Sequence, residues 1–158
     1  MKRPMRRRSF IRKLIARRGD LLPAVQAMGW LLLAWLAINV LPGRFYRRMM
    51  RPSVRKREMK DAERNEMMKR VRWAVRAAAK RVPWKAVCFH QGIAAQQMLC
   101  RAGIPAELHY GVAKSDDKGL EAHVWVMANG NTVVGGATQD RFTVLAIFEG
   151  VTQSPSVE

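Results

Sequence analysis

A long apolar run without ionisable side chains sets the first constraint on how this chain can fold. It extends from Leu21 to Gly43, and Lys and Arg residues flank it on both sides. About 20 apolar residues are enough for a helix to cross a bilayer. Three interpretations are open: a helix buried against the rest of the protein, an interfacial helix anchored by Trp30 and Trp35, and a transmembrane span. Pro23 and Asn39 disfavour the span, and the residues favour the buried helix.

The positive charge of the chain is large and unevenly distributed. The formal net charge is +17, with nine Lys and Arg against one acid in residues 1–43, sixteen against four in 44–87, and four against seven in 88–158. A charge of this size attracts polyanions or an anionic membrane surface. Zinc-finger spacing, RNA-recognition signatures and Gly-rich phosphate loops are all missing from the sequence, so no nucleic-acid partner is expected.

The chain organisation predicts an α+β protein. We expect a basic arm at 1–19, a helical region at 20–82, a core domain at 83–150 and a loose tail at 151–158. Helices are predicted at 21–41, 59–81 and 88–102, and strands at 106–112, 123–127, 132–134 and 142–148. Residues 1–80 show no strand pattern. The core therefore combines one helix with a small antiparallel sheet.

Cys88 and His123 form the most informative pair of reactive residues. Cys88 begins the helix of the core domain, where the dipole favours a thiolate and unpaired N–H groups could hold an oxyanion. His123 lies on a later strand, and its imidazole could take the thiol proton and return it. The order of helix, two strands with the histidine on the second, then hairpin is that of papain-like and transglutaminase-like cysteine enzymes.

The third residue of such a site, which orients the histidine, is not evident. A tight turn at Asn129-Gly130 pairs residue 128 with 131 and predicts residue 123 opposite 136. At this point the chain has Gly135-Gly136, without side chains. Asp140, Gln139 and a backbone carbonyl are the candidates for the orienting role, and Asp140 is the tentative choice.

The remaining cysteine and histidines suggest no second site. Cys88 and Cys100 are spaced for neither a disulfide framework nor a zinc site, and they favour a reducing, cytoplasmic location. Cys100 is interpreted as a small buried hydrophobic residue. His90 is expected to be solvated or to face substrate, and His109 is placed on the strand face opposite Tyr110. No metal or other cofactor is expected.

Several segments together resemble one enzyme family. They are PWKAVCFHQGIAAQ at 83–96, ML at 98–99, RAGIP at 101–105, LHYGV at 108–112, EAHVWV at 121–126 and VVGG at 133–136. These segments resemble the transglutaminase-like leader peptidases of lasso-peptide biosynthesis, and the resemblance covers roughly residues 20–150. Such proteins hydrolyse the bond between the leader and the core of a ribosomally made precursor.

The resemblance implies a papain/transglutaminase-like core behind N-terminal helices, with Cys88 as nucleophile and His123 as general base. The usual aspartate of the family falls near Gly135 and has no match here. Three partners are implied: the precursor peptide, a separate leader-recognition protein, and an ATP-dependent lasso cyclase. The alternatives are a catalytically weak adaptor of the same fold and a basic membrane-binding or nucleic-acid-binding protein. An anionic membrane surface, contacted through residues 21–43, is a further candidate partner.

Overall fold

The fold combines four α-helices with two β-sheets, as a computed structural model describes it for residues 6–115 and 119–152. The helices are α1 (Arg6–Asn39), α2 (Arg44–Met49), α3 (Asp61–Ala79) and α4 (Cys88–Arg101). The strands are β1 (Ser53–Val54), β2 (Glu107–Ser115), β3 (Gly119–Ala128), β4 (Asn131–Val134), β5 (Thr143–Glu149) and β6 (Val151–Thr152), with a 3-10 helix at Gly136–Arg141. The predicted α+β class is confirmed. Predictions for residues 1–5, 116–118 and 153–158 lie outside the described residues.

The larger sheet has four antiparallel strands in the order β4-β3-β2-β5. Its strands alternate as expected for a sheet with one face on the core, so that Leu108, Val124 and Val126 are buried in the main hydrophobic core. Helix α4 packs on this face, and α1 and α3 pack against α4 from the other side. The nucleophile helix is therefore enclosed between the sheet and the N-terminal helices.

The N-terminal half departs from the sequence prediction in three places. Helix α1 begins at Arg6, so it continues through most of the predicted basic arm, and α2 lies within the predicted linker. The two-residue strand β1 pairs in parallel with β6, at the start of the predicted loose tail. Two-residue strands have no readable periodicity, and here the pairing joins residues about 100 positions apart. Only the tertiary fold brings them together.

The hairpin between β3 and β4 is confirmed at its turn but not beyond it. Ala128 pairs with Asn131, and Asn129 and Gly130 both have positive φ, as this type of turn requires. A register shift follows between Val126 and Met127, and the ladder ends at Val134. The predicted pairing of residues 123 and 136 is therefore wrong, because the chain has already left the sheet.

Candidate active site

Cys88 is the first residue of α4, as the sequence predicts. The preceding residue, Val87, is extended, and no side chain caps the helix. The first N–H groups of a helix have no partner within it, so those of this turn are available to an incoming anionic oxygen. The thiol is free and half-buried. A nucleophile and an oxyanion-binding turn are thus combined at one helix end.

Contacts along α4 define where Cys88 lies over the sheet. Gln96 donates from Nε2 to the carbonyl of Phe148 on β5, at 2.6 Å. One turn earlier, Gly92 lies against Leu108 on β2 and Val124 on β3, so closely that a Cβ would come within 2.7 Å of Val124 Cγ1. The helix therefore crosses the sheet obliquely, from β5 towards β3.

One further turn of α4 leads from Gly92 to Cys88, a rise of about 6 Å. In the β2–β3 ladder, the pair that follows Tyr110 and Val124 is Gly111 and His123. Cys88 begins α4 one turn before Gly92, and His123 directly precedes Val124, the β3 residue on which Gly92 packs. Strand β4 has ended before the level of His123, because its last partner on β3 is Val126. Beside His123, Gly135 and the 3-10 helix that follows it lie against β3 in place of a paired strand.

The imidazole of His123 is held among aromatic rings. Its ring centroid lies 5.0 Å from that of Phe142 and 6.1 Å from that of Trp125. Gly111, directly across the ladder, makes room for this cluster, since a Cβ there would meet Trp125 at 2.9 Å. Because neighbouring residues of a strand alternate, the ring starts from the face opposite Val124. Stacking restricts the ring to few orientations.

A backbone carbonyl supplies the orienting contact of His123. Its Nε2 lies 2.7 Å from the carbonyl oxygen of Gly135. A carbonyl oxygen only accepts hydrogen bonds, so Nε2 carries the proton and donates it. Nδ1 of the neutral ring is then left as a proton acceptor. This is the arrangement that a general base requires.

Gly135 can hold this position only without a side chain. Its φ is +81°, in the left-handed region that favours glycine. A Cβ would lie 2.5 Å from the carbonyl oxygen of Val124 and 2.9 Å from Cα of Trp125. Both contacts are with backbone atoms that cannot move aside. The position where the sequence lacks an orienting side chain is therefore filled by main chain.

The polar side chains proposed for the orienting role lie elsewhere. Asp140 is exposed in the 3-10 helix, and among the described residues it makes no hydrogen bond to His123. The amide oxygen of Gln139 accepts a hydrogen bond from the hydroxyl of Thr132, at 2.7 Å. Of the three candidates left open by the sequence, the backbone carbonyl is the one in contact with His123.

The other cysteine and histidines are buried. Cys100 is fully buried, as predicted, and burial raises the pKa of its thiol to about 11, which keeps it protonated. His109 stacks on Trp125 and contacts the carboxylate of Glu107 at 2.9 Å. The prediction that His90 is solvated is wrong: it is 5% exposed, both ring nitrogens lack a partner, and burial lowers its pKa.

An apolar cavity beside α4 is a feature that the sequence did not reveal. It has a volume of about 580 Å³ and is open to solvent. Phe89, the residue after Cys88, lines it together with Ile38, Tyr46, Arg47, Met50, Tyr110 and Phe148. These residues come from α1, α2, α4, β2 and β5, so no local pattern marks them. The cavity is large enough for an apolar side chain, and it lies beside the residue that follows Cys88.

Within residues 6–115 and 119–152, no three His, Cys, Asp or Glu side chains are grouped so that they could hold a metal ion.

Comparison with known proteins identifies a family for this chain. The family model of the transglutaminase-like superfamily matches residues 32–147, which include the last two turns of α1 and Cys88, His123 and Gly135. No significant match was found among curated proteins or among solved structures. The matched domain is consistent with a papain-like cysteine peptidase fold, and cysteine-protease activity is common in this superfamily. Since the match covers most of its length, the chain belongs to the transglutaminase-like superfamily.

Proposed function

We propose that this protein is a cytoplasmic cysteine peptidase that removes the leader from a lasso-peptide precursor. The observation that carries the proposal is the free thiol of Cys88 at the uncapped start of α4, a helix that packs on the strand that carries His123. Family membership supports the peptidase chemistry. The lasso-peptide substrate rests on the sequence resemblance in residues 83–136.

The proposed reaction begins with proton transfer from the thiol of Cys88 to Nδ1 of His123. The sulfur attacks the carbonyl carbon of the leader–core amide, and the oxyanion is bound by the free N–H groups of the first turn of α4. His123 then gives its proton to the departing amine of the core peptide, as the C–N bond breaks. The leader remains attached to Cys88 as a thioester.

Water completes the cycle. His123 takes a proton from the water molecule that attacks the thioester carbonyl, and the C–S bond breaks to release the leader as a carboxylic acid. The proton returns to the sulfur. Throughout, the carbonyl of Gly135 holds Nε2–H and fixes the ring. A neutral carbonyl stabilises a charged imidazolium less than a carboxylate does, so we expect a modest turnover rate.

The substrate is proposed to be positioned in two ways. The apolar cavity beside Phe89 would accept a large apolar side chain close to the scissile bond. A separate leader-recognition protein would bind the rest of the leader and raise its effective concentration at the site. The freed core would then pass to an ATP-dependent cyclase, which joins its new N-terminus to an acidic side chain.

The direct test is cleavage of a precursor peptide from the same gene neighbourhood, in the presence of its recognition protein, followed by mass spectrometry. We expect the unchanged protein to release leader and core, Cys88→Ala to leave the precursor intact, and His123→Gln to lower the rate by about 100-fold or more. Cys100→Ala is the matched control and should cleave normally, since that thiol is buried and protonated.

Two outcomes would contradict the proposal. Normal cleavage by Cys88→Ala would remove the nucleophile from the mechanism. Absence of cleavage by the unchanged protein, combined with tight binding of the recognition protein or cyclase, would favour the adaptor of the same fold. The observation that favours this second function is that, among the described residues, His123 contacts a backbone carbonyl and not a carboxylate.

A further inference from the structure

Helix α1 turns its small residues inward and its large apolar residues outward. Ala27, Leu31, Ala34 and Ala37 are at most 1% exposed and pack towards α3 and α4. The opposite side, here called the outer face of α1, consists of Leu21, Leu22, Val25, Met28, Leu32 and Leu33, which are 38–75% exposed. A helix that only fills a protein core has the reverse arrangement. The outer face therefore needs a partner.

The chemistry of the outer face is that of a lipid contact. No charged residue occurs between Leu21 and Gly43, and Leu21–Asn39 has a mean hydropathy of 1.8. The apolar surface continues past the helix through Val40 and Leu41, which are also exposed. Contiguous apolar patches of this kind mark sites of protein or membrane interaction.

The charge that surrounds the outer face selects an anionic membrane as its partner. Helix α2 follows at once and exposes Arg44, Arg47 and Arg48, with Phe45 exposed between them. At the other end, residues 1–19 contain nine Lys and Arg and no acid. Basic residues flanking an apolar helix face are attracted to anionic lipid headgroups. A protein partner would have to be both apolar and strongly acidic at its rim.

The packing of α1 decides between lying on the membrane and crossing it. A spanning helix is surrounded by lipid, so α1 would have to give up its contacts with α3 and α4. Those contacts bury Leu31 and three alanines completely or almost completely, and α3 itself carries many charged residues. A helix lying in the membrane plane keeps this core and still buries the outer face. The predicted aromatic anchors are engaged elsewhere: Trp30 lies under the guanidinium of Arg101, and Trp35 packs on Trp84.

We propose that the outer face of α1 docks on the surface of an anionic phospholipid bilayer, with the helix axis parallel to the membrane and α2 on the headgroups. This surface is separate from Cys88 and His123. The docking would hold the enzyme at the membrane without inserting a segment across it.

The proposal is tested by sedimentation of the full chain with phospholipid vesicles. Vesicles of phosphatidylcholine with 30% phosphatidylserine should bind the protein, and vesicles of phosphatidylcholine alone should bind it at least about tenfold more weakly. Binding should weaken in high salt, because the electrostatic contribution is screened. Sodium carbonate should release the bound protein, whereas a spanning helix would resist extraction.

Variants of the outer face provide the sharper test. Replacing Leu22, Val25 and Leu33 together by Gln should lower vesicle binding at least about tenfold, since each side chain loses its burial in lipid. The matched control replaces Leu120, Leu145 and Val151 by Gln, three apolar residues that are equally exposed outside α1. It should bind as the unchanged protein does. All six positions are exposed, so the thermal unfolding midpoint should change little in either variant.

The result can also overturn the proposal. Failure to bind the anionic vesicles, equal binding by the α1 variant and its control, or resistance to carbonate extraction would each do so. A dimer in solution that the α1 substitutions dissociate would assign the face to a second copy instead. The Cys88→Ala protein should bind vesicles normally, so that loss of peptidase activity and loss of docking are observed separately.

Discussion

At the scale of single residues, the unusual feature is a histidine whose ring is oriented by main chain. The carbonyl of Gly135 reaches His123 because a left-handed backbone brings it past Val124, in a space that no side chain could share. The absence of an acid at this position therefore does not leave the imidazole without a partner. A neutral carbonyl oxygen of fixed position takes the place of a charged carboxylate as the acceptor of the Nε2 hydrogen bond.

Substitution of Gly135 tests this arrangement. Gly135→Ala should lower peptidase activity at least about tenfold and destabilise the fold, since its Cβ meets the backbone of Val124 at 2.5 Å. Gly119→Ala is the matched control: it also has positive φ, at +72°, but nothing lies within 4 Å of its Cβ. The control should show only the backbone cost of about 1 kcal/mol and retain activity. Activity of each variant is measured on the same precursor, and stability by urea unfolding.

A variant of Asp140 completes this test. Asp140→Asn should cleave at the rate of the unchanged protein, because the carboxylate is exposed and does not contact His123. A large loss of activity in this variant would assign the orienting role to Asp140 and contradict the role of the carbonyl.

At the scale of elements, the site depends on how closely α4 approaches the sheet. Because Gly92 has no side chain, the helix packs directly on Val124 and Leu108. One turn later, Gln96 donates a hydrogen bond to the carbonyl of Phe148 on β5. On the far side of β3, Arg72 of α3 donates to the carbonyls of Thr132 and Val133, just before the chain reaches Gly135. These contacts hold α4 against the sheet and hold the chain that leads to Gly135.

Two alanine substitutions distinguish the effect of packing between α4 and the sheet on stability from the effect of helix propensity. Gly92→Ala should destabilise the protein by about 1–3 kcal/mol and reduce activity, because the added methyl pushes α4 away from Val124. Gly29→Ala in α1 adds the same methyl where nothing lies within 4 Å and should stabilise the protein by about 0.5–1 kcal/mol. Both changes are measured by urea unfolding. Equal effects at the two positions would show that α4 does not pack as described.

At the scale of the whole molecule, the burial of one histidine is expected to make the stability depend on pH. His90 is buried with two unpartnered ring nitrogens, and its pKa is lowered by burial, so the folded protein holds it neutral. The unfolded chain takes up a proton there below its ordinary pKa of about 6.5. Stability is therefore present above this pH and is lost as the pH falls through the lower, folded value.

The free energy of unfolding should accordingly decrease from pH 7.5 to pH 5, with a contribution from His90 of less than about 1.4 kcal/mol per pH unit. His90→Leu should make this decrease smaller and should cost little at pH 7.5, since it removes two unsatisfied nitrogens and keeps similar volume. Urea unfolding at several pH values measures both effects. Identical pH dependence in the two proteins would show that His90 is not the group responsible.

The sequence by itself determined the elements and the reactive pair. Helical and strand periodicities, the Asn129-Gly130 turn and the position of Cys88 at a helix start are local properties, and neighbouring residues suffice to predict them. The class of the fold and the site candidates Cys88 and His123 followed from these signals and from the family resemblance.

The tertiary structure decided what depends on residues far apart in the chain. It alone showed the pairing of β1 with β6, the carbonyl of Gly135 at His123, the apolar cavity beside Phe89, and the side of α1 that stays exposed. The apolar run from Leu21 to Gly43 does not indicate in the sequence which side of the helix is buried, since its small and large apolar residues are equally uncharged. Only the packing of Ala27, Ala34 and Ala37 against α3 and α4 distinguishes the face that fills the core from the face that does not.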